Sequence, residues 1–383
     1  MLICSRKNML LFLLSFFILY FNYSIIYANF IHWLDENYFT SIITSKVSVV
    51  SLNILTFFNL LLFYFVRWGK IKILESTNIY FDEKRYSPYI IFSILFFLVF
   101  VFIFGFKIPE FGERGEGSPI YEYSVVFFIF LFYYCGGIKS SINIILFFIF
   151  AFSLQCFIFG GRADGIQFLM VSYIMFFLYK IRKSIVIVLL FVLFGVFSII
   201  GVARGELLMG NFELDSIFTS LVNSGFSLDT AYSAYYTSES FIYVLDLVSP
   251  EKIQLYTIAF IKSIVMGGNL IYSLPYITHD YVLHYYGGLL PFYFYFFWGR
   301  VGIVLSALLV SFYLNMIINI RSNSSGIKKV MAVWITATVF RWYLYSPSAL
   351  LRGALLMSIV YYFLFYIFTV TQHMFPKRRT TTL

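Results

Sequence analysis

Two arginines stand where the surrounding sequence gives little reason for a cation. Arg162 follows Gly160-Gly161 and Arg204 follows Gly201-Val202-Ala203, each directly after an apolar block. A guanidinium is a planar fork that can pair with two oxygens at once, so two of them form a natural clamp for a diphosphate. The plainer reading is an interfacial arginine reaching toward lipid headgroups. Arg300, Arg341 and Arg352 are weaker members of the same set. Arg341 falls inside an apolar segment, where charge is costly and often functional. Two of the four histidines lie together in Thr278-His279-Asp280-Tyr281-Val282-Leu283-His284. Their spacing puts them on different faces of a helix, which argues against a paired metal site. A single imidazole of near-neutral pKa can act as a general base, and either His279 or His284 could serve; the bland alternative is an interfacial hydrogen-bonding residue.

Several chemistries have no support. The chain contains no Walker-type phosphate loop, no glycine-rich dinucleotide fingerprint after a strand and no Gly-x-Ser-x-Gly elbow. Its acids are scattered, with no Asp-x-Asp pair to hold a metal-bound nucleotide. Cys4, Cys135 and Cys156 lie in or beside apolar segments without metal-ligand spacing, so they imply neither a disulfide framework nor a zinc site. These absences argue against a nucleotide-sugar transferase with a cytoplasmic site. The apolar segments also lack the chain of buried charges expected of an ion-coupled transporter.

The elements that must position such residues are membrane helices. The chain of 383 residues is 61% hydrophobic and only 12% charged, about half the charged fraction of a soluble domain. Its mean hydropathy is +0.87. The net charge of +9 is confined to short runs between apolar blocks: Arg6-Lys7, Arg67 to Lys72, Lys84-Arg85, Lys180 to Lys183, Lys328-Lys329 and Lys377 to Arg379. That is the positive-inside pattern of a multi-pass membrane protein rather than a nucleic-acid surface. Apolar lengths predict about ten spans. They begin near Met9, Val47, Tyr89, Tyr121, Ile142, Ile166, Ser184, Trp298, Val330 and Gly353. Arg6-Lys7 before an apolar run is similar to a signal peptide, but with many spans following it reads as an uncleaved first span. Both termini are expected in the cytoplasm, because most Lys and Arg then lie inside with only Glu75, Asp82 and Glu83 as acids there. The chain reads as one polytopic all-α domain over residues 1–383, without an internal repeat.

One stretch breaks the apolar rhythm. From Arg204 to Arg300 the polar groups return, with Glu206, Glu213, Asp215, Asp229, Glu239, Asp246, Glu251, His279, Asp280 and His284. Residues 204–297 are predicted to form a large outer loop. A long loop retained among many short ones is usually kept for function. Within it, Gly287 to Phe297 is apolar enough for a re-entrant or interfacial helix.

Three segments give this plan a resemblance. Phe159-Gly160-Gly161-Arg162 is similar to the Gly-x-Arg turn that O-antigen polymerases place after a middle span. Gly201-Val202-Ala203-Arg204-Gly205 resembles the arginine that opens their largest outer loop. His279-Asp280-Tyr281-Val282-Leu283, continuing through Trp298-Gly299-Arg300-Val301-Gly302-Ile303, looks like the family's His-Asn-x-x-Leu segment followed by a Gly-x-x-Gly start to the next span. The chain departs from that pattern in carrying Asp280 where Asn is common, and in a longer spacing from His279 to Gly299.

The resemblance to the O-antigen polymerase family implies an inner-membrane glycosyltransferase similar in fold class to the GT-C-type lipid-linked-sugar transferases. Its donor would be a growing glycan on undecaprenyl diphosphate, and its acceptor a lipid-linked repeat unit at the periplasmic face. It implies no cofactor and no metal. Partners would be the lipid bilayer, the lipid-linked oligosaccharide, and a chain-length regulator and flippase of the same pathway, with no nucleic acid. Diphosphate binding is expected of Arg162 and Arg204, with Arg300 and Arg341 as further candidates, and the base role of His279 or His284. The alternatives are an O-antigen ligase or exopolysaccharide polymerase of the same superfamily and, from another class, a lipid-linked oligosaccharide flippase.

Overall fold

The structure is a computed structural model that describes residues 3–30, 45–68, 78–80, 86–107, 115–159, 161–178, 230–266, 273–282, 284 and 287–374, with 185, 188 and 215 as isolated positions. Thirteen α-helices account for most of these residues. In chain order they are α1 (Lys7–Phe30), α2 (Ser45–Phe65), α3 (Pro88–Phe104), α4 (Pro119–Tyr134), α5 (Lys139–Phe159), α6 (Arg162–Ser172), α7 (Thr230–Leu245), α8 (Pro250–Met266), α9 (Leu274–His279), α10 (Leu290–Ile318), α11 (Gly326–Ala337), α12 (Val339–Leu344) and α13 (Pro347–Met374). A π-helical turn, Tyr173–Phe177, extends α6. Two small antiparallel ribbons complete the description. One pairs β1 (Ile3–Arg6) with β2 (Asn78–Tyr80), and the other pairs β3 (Phe106–Lys107) with β4 (Glu116–Gly117).

Among the described residues four helices are long and apolar enough to cross a membrane: Lys46–Phe65, Lys139–Phe159, Leu290–Ile318 and Pro347–Gln372. Shorter apolar helices stand beside them over Lys7–Asn22, Pro88–Phe104, Pro119–Tyr134 and Ala163–Phe177. α4 is the central post, with Tyr121 and an unbroken run from Ser124 to Tyr134 buried except for the half-buried Phe127. The flanking helices keep broad apolar faces outward, including Phe92, Phe100 and Phe104 on α3, Phe147 and Phe150 on α5, and Tyr362 and Tyr366 on α13. Apolar faces on this scale suit lipid, where helix association depends on close packing and polar contacts rather than on water exclusion. The packing here is aromatic. The Phe152 ring on α5 lies 4.9 Å from Tyr121, 5.1 Å from Phe128 and 5.5 Å from Phe168, which locks α4, α5 and α6 together.

The starts of α3 and α4 follow from local sequence. Ser87 and Ser118 accept hydrogen bonds from the Ile90 and Tyr121 amides, and Pro88 and Pro119 occupy the first helical position, where no amide hydrogen is needed.

Three elements differ from the reading of apolar lengths. The eighth span begins at Leu290 rather than near Trp298, because the apolar run before Trp298 is already helical and joins the rest across a kink at Gly299. The ninth, expected from about Val330 to Tyr345, is two helices, α11 and α12, divided at Thr338. The predicted outer loop carries α7, α8 and α9. α7 packs on α1, α2 and α10, and α8 packs on α13 and α10, so these segments belong to the bundle. The seventh predicted span lies outside the described residues apart from positions 185 and 188.

The bundle has two unlike ends. At one, β1 meets β2 and the π turn, the Ser87 amide donates to Tyr134 O, and the Arg67 amide donates to Asn315 Oδ1 at 2.9 Å. This end gathers Arg67, Lys139, Arg321, Lys328 and Lys329. The other end gathers the C-terminus of α3, the N-termini of α4 and α6, α8, α9 and α12, and there the structure opens.

Candidate functional site

At that second end lies a cavity of about 1360 Å³. It is larger than the usual drug-sized pocket of about 300–1000 Å³, so it suits an extended ligand. Its walls come from β3, β4 and the ends of α3, α4, α8, α9, α10, α12 and α13. Its lining includes the apolar residues Ile103, Phe104, Leu255 and Ile258. It also carries four cations, Lys107, Lys262, Arg341 and Arg352, and among the described lining residues the single acid is Glu122.

Arg341 is held from two sides. Its guanidinium makes ion pairs with Glu122 on α4 and Asp164 on α6, and each of the three side chains is only 22–25% exposed. The local folds arrange this meeting. Gly161 precedes α6 in extended conformation, which brings Asp164 into the first helical turn. Gln167, one turn on, donates to the Glu122 carbonyl at 3.2 Å and ties α6 to α4. The break at Thr338 lets α12 turn: the Arg341 amide donates to Thr338 O at 2.9 Å, and the Arg341 carbonyl accepts from Tyr345 and Ser346 at 3.1 Å. A guanidinium shared by two carboxylates is anchored, and its remaining N–H groups are available to a further anion.

Arg352, one turn into α13, has no carboxylate in these contacts. Its Nε donates to the Ser263 carbonyl of α8 at 3.0 Å, Nη2 donates to the same oxygen, and Cζ lies 6.0 Å from the centroid of the Tyr123 ring. Lys262 is exposed beside it. The rim opposite is closed by Tyr293, whose hydroxyl contacts Gly287 O at 3.0 Å and Tyr345 O at 2.5 Å. The cavity thus combines apolar and cationic lining, a composition that fits an amphiphile with an anionic head.

Of the residues singled out by sequence, Arg341 and Arg352 line this cavity. Arg162 opens α6, and its side chain lies outside the described residues, as does the whole of Arg204. Arg300 is exposed on α10, just past the Gly299 kink, and does not line the cavity. His279 ends α9 and His284 follows it, with perpendicular rings 5.4 Å apart. Neither lines the cavity; Ser273, Leu274 and Pro275, at the start of α9, do. His284 is buried, with Nε2 2.9 Å from Thr278 Oγ1. Burial first, and the neighbouring His279 second, push it down to about 4 from the ordinary 6.5, so it is neutral at pH 7.

Sequence reasoning passed over Glu122, Asp164, Lys262 and Lys107 as site residues. Glu122 carried a usable signal, an acid near the start of an otherwise apolar segment. Glu239 was counted only as part of the polar loop. It is buried on α7 and accepts the Tyr235 hydroxyl at 2.6 Å, away from the cavity lining. Among the described residues no group of His, Cys, Asp and Glu is placed to hold a metal ion. No family model, no curated protein and no solved structure matches the chain.

Proposed function

We propose that this protein is a polysaccharide repeat-unit polymerase of the O-antigen type. It moves a growing glycan from polyprenyl diphosphate to a sugar hydroxyl of an incoming lipid-linked repeat unit, at the periplasmic face of a bacterial inner membrane. One observation carries the reading. The cavity combines apolar lining with four cations at the end of the bundle that the Lys/Arg asymmetry would put outside. The apolar residues suit the polyprenyl chain near the diphosphate, and Arg352, Lys262 and the remaining donors of Arg341 suit the diphosphate itself. As the glycosidic bond to the lipid breaks, negative charge develops on the leaving diphosphate, and fixed cations stabilise that charge at the moment it forms. Both termini in the cytoplasm, a GT-C-type arrangement, and cooperation with a flippase and a chain-length regulator belong to the same reading.

A deletion strain separates this function from its neighbours. Loss of a polymerase leaves one repeat unit on lipid A, loss of a ligase leaves polymer on the lipid carrier, and loss of a flippase leaves no surface glycan. The expected banding is single repeats, restored to a ladder by the wild-type gene. Complementation with Arg352→Gln is expected to lower the polymerisation rate roughly 10–100-fold, the worth of one charge-assisted contact. A full ladder in the deletion strain removes the function.

A further inference from the structure

Every direct glycosyl transfer needs a group that takes the acceptor's proton, and the cavity wall offers one. Among the described lining residues, the hydroxyls of serine and tyrosine and the cations of lysine and arginine are poor proton acceptors at neutral pH. Glu122 is the one carboxylate, while His279 and His284 face other surroundings. We propose that Glu122 is the general base of this site, held in place by the Arg341–Asp164 pair. The assignment rests on the glycosyltransferase reading above and names the proton acceptor within it.

The geometry assigns the two flanking charges different tasks. Arg341 bridges Glu122 and Asp164, so its charge is already balanced, and its first effect is to fix the Glu122 carboxylate at the wall. Arg352 leans on a backbone carbonyl and an aromatic face, so its charge remains for the substrate. The step then balances. The acceptor O–H bond breaks and its proton passes to the Glu122 carboxylate. The freed oxygen pair forms the new bond to the anomeric carbon, and the bond from that carbon to the diphosphate breaks. The electron pair departs with the polyprenyl diphosphate, which gains one negative charge beside Arg352 and Lys262. A phosphate oxygen that engages Arg341 draws it partly from Glu122, which frees the carboxylate as the donor arrives. Displacement from the face opposite the leaving group inverts the anomeric centre.

Glu122→Gln tests this, because the amide is isosteric and its oxygen still accepts from Arg341. The full-length protein in nanodiscs is to be measured in two ways: binding of farnesyl diphosphate as a probe, and initial polymerisation rate on lipid-linked repeat units extracted from the deletion strain. Glu122→Gln is expected to bind farnesyl diphosphate at least as tightly as wild type, since Arg341 has lost a competing anion, while its rate falls about 100-fold or more. Glu122→Asp, which keeps the acid but withdraws it by one methylene, is expected to bind normally and to lose roughly tenfold in rate. A rate within threefold of wild type in either variant overturns the base assignment and leaves the diphosphate site standing. Failure of the wild-type protein to bind farnesyl diphosphate overturns the site reading beneath it.

Discussion

A guanidinium among apolar helices is costly unless its charge is met, and Arg341 is met twice, by Glu122 and Asp164. The two histidines solve the same problem differently. Thr278 Oγ1 lies 3.0 Å from Leu274 O and 2.9 Å from His284 Nε2, which gives the buried ring a hydroxyl partner. Burial disfavours a proton on that ring, and charge beside His279 disfavours it further, which together push it down to about 4. The consequence for stability has a definite sign. Above pH 6.5 both folded and unfolded chains carry the neutral ring, and the full contribution is present. Between pH 6.5 and 4 the unfolded chain binds a proton that the folded one refuses, so stability is lost across that window, by about 3 kcal/mol at most. The thermal midpoint of the detergent-solubilised protein should fall over that range, and His284→Asn should flatten the fall. An unchanged slope in His284→Asn would remove His284 as the source. Little of this was legible at residue scale. Arg341 was visible as a charge in an apolar run, but its partner Asp164 lies 177 positions away, and no local pattern couples residues at that distance. The histidines were visible by type, whereas burial, which decides their protonation, was not.

At the scale of elements the local rules did better. Serine before proline stands at the starts of α3 and α4, and the apolar blocks give helices at the predicted spans that the structure describes. The Gly299-Arg300-Val301-Gly302 segment was legible as a start to a span, although α10 itself begins nine residues before Gly299. Its two glycines do separate jobs. Gly299 adopts φ 57° and ψ −138° with open space where a side chain would go, so a substitution there costs backbone strain alone, about 1–3 kcal/mol. Gly302 has no such space, because a Cβ would stand 1.9 Å from Phe294 O. The kink presses one turn of α10 against the next, and only a bare Cα fits. Gly302→Ala should therefore lower the thermal midpoint more than Gly299→Ala does. Midpoints equal to wild type in both would mean that the kink is not a requirement of the fold. The long polar stretch was read as an outer loop from its acids; within it α7 packs against α1 and α2 and buries polar groups such as Glu239, packing that loop composition does not reveal.

For the whole molecule, the question is which way the bundle stands. Rings of exposed aromatics on α3, α5 and α13 suit lipid on either orientation, so the decision falls to the ends. One carries Arg67, Lys139, Arg321, Lys328 and Lys329; the other carries the cavity with its four cations, but mixes them with the acids Glu122, Asp164 and Asp246, the last paired with Lys46 at 3.3 Å. The proposed orientation follows the positive-inside rule, with the first end in the cytoplasm and the cavity outside. Under the proposed function that orientation matters chemically, because a periplasmic transferase has no nucleotide at hand and would draw the free energy for a new glycosidic bond from a lipid diphosphate. Single cysteines read it directly. Ser249, in the exposed turn between α7 and α8, lies at the cavity end, and Ser322, exposed after α10, lies at the basic end. The native Cys135 and Cys156 are buried and unreactive in this setting, so replacing Cys4 gives a quiet background. On intact spheroplasts a membrane-impermeant maleimide should label Ser249→Cys and spare Ser322→Cys until the membrane is broken. The reverse pattern would place the cavity in the cytoplasm, and a periplasmic polymerase would then have its donor site on the wrong side of the membrane.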